Sequence, residues 1–305
     1  MVEQQQLDFV PHGSLLPRTE EIQDIPLKPY LTSSRGILFQ ADCLDVFQFI
    51  RDDSVHCVFA DPPFNLGKEY DGADISDDLP EKRYLQWSQR WLSECARVLV
   101  AGGSLFVYNI PQWLIHFGHF LSVELEMSFR HWIALSMKNT FPRGKQLYPA
   151  HYGLLYFTKG DPRVFNKLRT EIPTCRHCGG EIKDYGGHRD KLNEKGLTLT
   201  DFWEDTSPVR HSKYKTRVAN ELKPMIPERA ILTSTDPGDV VLDPFGGGGS
   251  TYQVAEKHGR NWIGVEIGSC EPIVERLMFL AGAKVEIGTP CPAEVLSCFR
   301  GQLVQ

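Results

Sequence analysis

Val240-Val241-Leu242-Asp243-Pro244-Phe245 runs directly into Gly246-Gly247-Gly248-Gly249 and then Ser250-Thr251. The apolar, β-branched run predicts a strand, the glycines a tight turn, and the residues from Ser250 to Gly259 a short helix. A strand that passes through a glycine-rich turn into a helix presents bare backbone amides to a ligand at the helix N-terminus. The next apolar run, Trp262–Val265, ends on Glu266, 23 residues beyond Asp243. A carboxylate near that offset accepts hydrogen bonds from a ribose diol. A glycine run alone would be only a flexible turn. With the strand before it and the acid after it, the pattern predicts a nucleoside-containing cofactor.

The rest of the chain repeats the alternation of short apolar runs with helical periodicity that feeds a parallel sheet. Strands are predicted over Gly36–Gln40, His56–Ala60 and Ser104–Tyr108. Two later ones, His131–Met137 and Tyr152–Thr158, are joined by a basic loop with Arg143 and Lys145. Asp78-Leu79-Pro80-Glu81 has the form of a capping box, and behind it Tyr84, Trp87, Trp91 and Cys95 repeat at helical spacing until Gly102-Gly103 ends the unit. Helices are also predicted over Pro111–Leu125, Met225–Leu232 and Glu271–Ala281. A chain of 305 residues suits one α/β core with an insertion. The expected division is a polar arm over 1–35, a first core half over 36–158, an insertion over 159–217 and a second core half over 218–305.

Charge sets the insertion apart. The chain carries a formal net charge of −6, yet Phe141 to Arg217 holds fifteen Lys/Arg against nine Asp/Glu, a local +6 that leaves −12 elsewhere. An acidic core with a polyanion-facing segment shows this asymmetry; a solvated, lysine-rich surface is the plainer alternative. No run approaches the roughly 18–20 apolar residues of a membrane span. The most apolar stretch, Trp113 to Phe129, is broken by His116, His119, Glu124 and Glu126. The opening MVEQQQLDFVPHGS lacks the basic flank and apolar region of a secretory signal, so a cytoplasmic location away from membranes is expected. Six of the eight cysteines (Cys43, Cys57, Cys95, Cys270, Cys291, Cys298) are scattered, as reduced thiols serving as small hydrophobes would be. Cys175 and Cys178 form a close pair with His177 and His188 nearby, but one such pair supplies only two of the four ligands zinc needs, and no metal is assigned.

Asp61-Pro62-Pro63-Phe64 stands at the end of the predicted strand His56–Ala60. The carboxylate and the Pro62 carbonyl are acceptors, the ring is a stacking face, and the two prolines restrict the backbone that carries them. Alone, this is an ordinary turn with an exposed Asp. Beside a cofactor site it acquires a chemical use. The exocyclic amino group of a base is a poor nucleophile because its lone pair is delocalised into the ring. Two acceptors on its hydrogens draw that pair out of conjugation, while an aromatic ring holds the base. Such a site needs an extruded or single-stranded base, since a duplex hides the reacting atom.

The order of these motifs, Asp61-Pro62-Pro63-Phe64 first, Val241-Leu242-Asp243-Pro244-Phe245 with its glycines last, and a basic stretch between, resembles the beta class of amino-group DNA methyltransferases from restriction–modification systems. The resemblance extends from Ile37 to Ala281. It implies a circularly permuted Rossmann-like α/β fold with a mostly parallel seven-stranded sheet and an inserted DNA-recognition segment. It implies S-adenosyl-L-methionine as cofactor and double-stranded DNA as substrate, with a cognate restriction endonuclease as companion and a homodimer as one allowed assembly. Asp61, Pro62, Pro63 and Phe64 are then the amine clamp; Asp243, Phe245, Gly246, Gly248 and Ser250 line the cofactor pocket, and Glu266 holds the ribose. Asp42 and Cys43, in Ala41-Asp42-Cys43, match a Gly-Asp-Cys strand end near the adenine, with Ala in place of Gly. Glu221-Leu222-Lys223-Pro224 is similar to a Gln-Lys-Pro element but lacks the Gln, and Gly247-Gly248-Gly249-Ser250 stands where Gly-Ser-Gly-Thr is common. Asp in the clamp, rather than Ser, favours adenine N6 over cytosine N4. Lys183, Arg189, Lys191, Arg210, Lys213, Lys215 and Arg217 become phosphate or base-edge contacts. Tyr185, Phe202 and Trp203 are stacking or core residues, Trp203 being assigned to the core.

Two other readings compete. A catalytically silent DNA-binding subunit would have no need to retain both the clamp and the glycine turn. A nicotinamide dehydrogenase would want Gly or Ala where Thr251 stands, and leaves Asp61 to Phe64 unexplained.

Overall fold

Alternate residues of the central strands are buried on opposite sides, so the sheet needs cover on both faces, and helices supply it. The computed structural model describes residues 28–67, 77–137, 149–172, 195–206, 222–278 and 289–300, with single positions at 145, 147, 174, 178, 180 and 193. In chain order the elements are β1 (Leu31–Thr32), β2 (Gly36–Gln40), α1 (Cys43–Phe47), β3 (Val55–Ala60), α2 (Glu81–Val98), β4 (Leu99–Asn109) and α3 (Pro111–His119). A π-helical turn, Phe120–Glu124, extends α3 and is followed by β5 (Ser128–Ser136), β6 (His151–Thr158), β7 (Arg169–Thr170), β8 (Leu197–Thr198) and β9 (Phe202–Trp203). The chain then forms α4 (Met225–Ser234), β10 (Val240–Asp243), α5 (Ser250–Lys257), β11 (Asn261–Glu266), α6 (Glu271–Met278) and α7 (Ala293–Leu296).

The main sheet has the order β1-β2-β11-β10-β3-β4-β6-β5-β9. Seven strands match the expected number, and the two-residue β1 and β9 extend the sheet at its edges to nine. Strands β2, β11, β10, β3 and β4 are mutually parallel, while β6 runs against both β4 and β5. One face packs α1, α2, α3 and α7 on Ile37, Phe39, Val58, Leu105, Val107, Leu242 and Ile263. The other packs α4, α5 and α6 on Leu38, Cys57, Phe59, Phe106, Val241 and Trp262.

Two expectations are corrected, and one element is new. Gly102-Gly103 does not end the helical unit. Helix α2 stops at Val98, and β4 begins at once and passes through the glycines in an irregular stretch, its partners jumping from Val55↔Leu99 to Cys57↔Ser104. Gly102 has φ +74°, and a Cβ there would lie 2.7 Å from the Asp161 carbonyl and the Arg163 amide, so the close pass of 161–163 requires glycine. The Asp78 capping box is absent as well. Pro80 is the N-cap, with extended backbone (φ −52°, ψ 138°) and no side-chain acceptor, so the helix starts at Glu81 and Asp78 lies ahead of it, while Asn65 holds the Leu79 amide and carbonyl. The short α7 was not anticipated; it packs Phe299 on Phe39 (5.6 Å) and ties Cys298 and Arg300 to Arg51 and Phe49.

Within residues 159–217, β7 and β8 form a two-stranded stem, and β9 joins the core sheet beside β5. Trp203 is buried, as assigned, under the Arg229 guanidinium, 5.1 Å from the ring centroid, while Phe202 is exposed. Arg229 also forks onto Asp205 and holds that carboxyl below its usual range. The basic loop residue Arg143 and Lys183, Tyr185, Arg189, Lys191, Arg210, Lys213, Lys215 and Arg217 lie outside the described residues, as do Cys175, His177 and His188. Cys178 is described and exposed, whereas Cys43, Cys57, Cys95, Cys270 and Cys298 are buried free thiols and Cys291 is half-buried. Among the described residues no group of three or more metal-ligating side chains occurs, and no helix is long and apolar enough to cross a membrane.

Candidate active site

Parallel strands carry their C-terminal ends to one edge, and four such ends gather the sequence-predicted residues. Glu266 ends β11 level with Gln40 of β2, just before Asp42. Asp243 ends β10 level with Gly264 of β11. On the other side of β10, Leu242 pairs with Val58, which puts Asp61 just beyond the end of the adjacent β3. The helices that follow these two neighbouring strands, α5 after β10 and α2 after β3, cover opposite faces. The chain therefore diverges between β10 and β3, leaving the crevice in which open α/β sheets bind their ligands.

The cofactor half is held by its own backbone. Glu266 is nearly buried; one oxygen accepts the Gly247 amide at 2.6 Å and the other the Gly268 amide at 2.8 Å. Each carboxylate oxygen has a second acceptor site, which suits it to a ribose hydroxyl. Asp243 accepts the Phe245 amide at 2.9 Å, and burial pushes its carboxyl up to about 7 against the opposing pull of Thr251 and that amide. Gly249 is the N-cap of α5 at φ +76°, where a Cβ would press to 2.9 Å from Ile273. Tyr252 fills the space beneath, donating to the Asp243 carbonyl and accepting from the Val265 amide, both at 3.1 Å. The Ser250 hydroxyl donates to the Leu222 carbonyl at 2.9 Å and so fastens Leu222-Lys223-Pro224 to the turn. Phe245 lies edge-on to Trp91 and Trp87, at 5.2 and 5.8 Å. Asp42 is the N-cap of α1, accepting the Leu44 amide at 2.8 Å. Cys43 turns into the core, where burial and then Asp42 raise its thiol well above the usual range; the side chain does not face the edge.

The clamp half is held by residues distant in sequence. Pro63 and Phe64 lend their carbonyls to the Tyr84 hydroxyl (2.6 Å) and the Trp113 indole N–H (2.8 Å). The Phe64 ring leans on Tyr108 and Tyr152, at 5.6 and 5.8 Å. Burial, then the nearby Asp61 and Tyr152, push the Tyr108 phenol well above its usual range, so it stays protonated at neutral pH. Past Phe64, Asn65 adopts φ +54°; the Asp77 carboxylate accepts the amides of Asn65 and Leu66, at 2.7 and 3.1 Å. Tyr84, Asn109, Trp113, Tyr108, Tyr152 and Asp77 are not among the site residues that the sequence predicts. Tyr84, Asn109 and Trp113 act through polar tips that meet partners far along the chain, and Tyr108 and Tyr152 through ring contacts with Phe64.

A mostly parallel sheet in which only β6 and the two-residue β1 are reversed, a glycine turn and acidic strand ends at a single edge define a nucleotide-cofactor enzyme fold of the Rossmann-like class. The chain matches the DNA methylase model for N6 and N4 enzymes over residues 55–272, and it belongs to that family. It is 51% identical over 257 residues to the type II methyltransferase M.BamHI of Bacillus amyloliquefaciens, covering 84% of this chain and 60% of the relative. It thus spans about three-fifths of that relative's length. It is 27% identical over 238 residues to the DNA adenine methyltransferase YhdJ of Escherichia coli, covering 76% of this chain and 78% of the relative. Among solved structures, the cytosine-N4-specific PvuII DNA methyltransferase aligns at TM-score 0.59 and 18% identity over 84% of this chain and 90% of its own. The complex of M1.HpyAVI with S-adenosylmethionine aligns at 0.51 and 21%, over 79% of this chain and all of its own. These two alignments support the Rossmann-like methyltransferase fold.

Proposed function

We propose that this chain transfers a methyl group from S-adenosyl-L-methionine to the exocyclic amine of a base in duplex DNA, adenine N6 in the first instance. The observation that carries the reading is the adjacency of Asp243 on β10 and Asp61 after β3 at one sheet edge. The glycine turn, with Glu266 preorganised by two backbone amides and Asp243 buried beneath, suits a nucleoside cofactor in both shape and donor set. When bound there, S-adenosyl-L-methionine supplies an electrophilic methyl group on a sulfonium sulfur. The chain's own part is to hold the base and shape its nitrogen. Phe64, steadied by Tyr108 and Tyr152, stacks on the extruded base, and Asp61 and the Pro62 carbonyl accept the two amine hydrogens. Asp61 then stabilises the positive charge that develops on nitrogen as the new bond forms. The preference for adenine rests on Asp rather than Ser at position 61. A restriction endonuclease acting on the same site is the expected companion.

The test is transfer of labelled methyl from S-adenosyl-L-methionine to unmethylated phage DNA, followed by mass spectrometry of the nucleosides. N6-methyladenine is the expected product. N4-methylcytosine would keep the clamp and remove the adenine assignment, and no transfer would remove the reading.

A further inference from the structure

The clamp loop has an unusual problem. Strand β3 ends at Ala60, and of the next residues Pro62 and Pro63 have no N–H to donate. A loop of this kind cannot be fixed by a backbone ladder of its own, so its carbonyls must be held by donors from elsewhere. Two donors are in place. The Tyr84 hydroxyl, in the first turns of α2, donates to the Pro63 carbonyl at 2.6 Å, and the Trp113 indole N–H, in the first turn of α3, donates to the Phe64 carbonyl at 2.8 Å. Asn109, fully buried at the end of β4, orients the phenol. Its amide donates to the Tyr84 oxygen at 3.2 Å, and its own carbonyl accepts the Ile110 amide at the entrance to α3. The rings are packed as well as bonded: Tyr84 and Trp113 stand 4.7 Å apart, and Trp87 lies 5.8 Å from both Tyr84 and Phe245. One face of α2 thus braces the clamp through Tyr84 and the glycine turn through Trp87 and Trp91.

We propose that Tyr84 and Trp113 are positioning residues of the amine clamp, setting the height and tilt of Asp61-Pro62-Pro63-Phe64 above the crevice. The inference rests on the methyltransferase reading and deepens it. Neither side chain touches the reacting atoms in this scheme. Their effect runs through the loop, where a displacement of about 1 Å at a reacting geometry costs on the order of a hundredfold in rate.

Tyr84→Phe and Trp113→Phe keep an aromatic ring and remove the donor. Three quantities are measured on the full chain: the single-turnover rate of methyl transfer to unmethylated phage DNA, the S-adenosyl-L-methionine Kd by calorimetry, and Tm. Each variant is expected to lose about tenfold or more in rate while its cofactor Kd stays within about twofold of wild type. Rates within about twofold of wild type in both variants overturn the proposal. So does a parallel collapse of rate, cofactor affinity and Tm, which would make the two residues simple scaffolding. An inert wild-type chain takes down the methyltransferase reading itself, and this inference with it.

Discussion

The two halves of the candidate site sit on neighbouring strands and are built on opposite principles. Between residues 243 and 268 the chain satisfies itself: Glu266 accepts from Gly247 and Gly268, Asp243 from Phe245, and Tyr252 links Asp243 to Val265. Between 61 and 67 the chain is proline-rich and short of donors. Its shape is borrowed from Asp77, Tyr84 and Trp113, and its ring is seated on Tyr108 and Tyr152. A binding turn that closes on itself tolerates change elsewhere in the fold. A clamp that depends on five remote side chains couples its geometry to the packing of α2, α3, β4 and β6.

Substitutions can pull the halves apart, and the largest effect should come from the clamp. Asp61→Ala is expected to lower methyl transfer by about a thousandfold or more while leaving the S-adenosyl-L-methionine Kd within about twofold, because it removes charge stabilisation and no cofactor contact. A variant that still transfers at the wild-type rate would remove Asp61 from the clamp. Glu266→Ala should show the converse. Loss of a charged acceptor costs about 1.5–3 kcal/mol, so calorimetry should read a cofactor Kd weakened by roughly 10- to 100-fold. Unaltered affinity would remove the ribose role. Asp77→Ala strands the amides of Asn65 and Leu66 and should cost about 1–3 kcal/mol in denaturant melts, with cofactor affinity untouched. A cofactor Kd that moved with it would mean the halves are not independent.

The smallest effect is a slope. The Asp243 carboxyl is raised to about 7 by burial, so between its unfolded value near 4 and that value the folded chain holds a proton the unfolded chain has lost. This contribution to stability is complete below about pH 4 and disappears as pH rises through about 7, at no more than about 1.4 kcal/mol per pH unit. Asp243→Asn should flatten that part of the Tm-against-pH curve and weaken cofactor binding. An identical curve in the variant would show that the carboxyl titrates normally.

The same contrast explains what could be read from residue order. The strands at 36–40, 55–60, 151–158, 240–243 and 261–266 follow from runs of apolar residues, and the strand, glycine turn and acidic strand end of 240–266 were legible because they lie within a short window. Gly102-Gly103 was misread because a glycine that lets another segment approach a strand looks, in sequence, the same as one that ends a unit. Asp78 was misread because Pro80, two residues on, stays extended and puts the helix start at Glu81, out of reach of an Asp78 cap. Tyr84 and Trp113 read as members of helical apolar stripes, and they are; what sequence spacing does not carry is the hydroxyl and the indole N–H reaching carbonyls 21 and 49 positions away.

The distribution of sulfur has a practical corollary. Burial raises the thiols of Cys43, Cys57, Cys95 and Cys298, and Cys291 is pushed up to about 12, so at neutral pH they are protonated and poor nucleophiles. Cys178, in the basic stretch from Phe141 to Arg217, is exposed to solvent. A maleimide dye should therefore mark that stretch and spare the sheet, giving the native chain an optical reporter on its most cationic segment without any engineered cysteine.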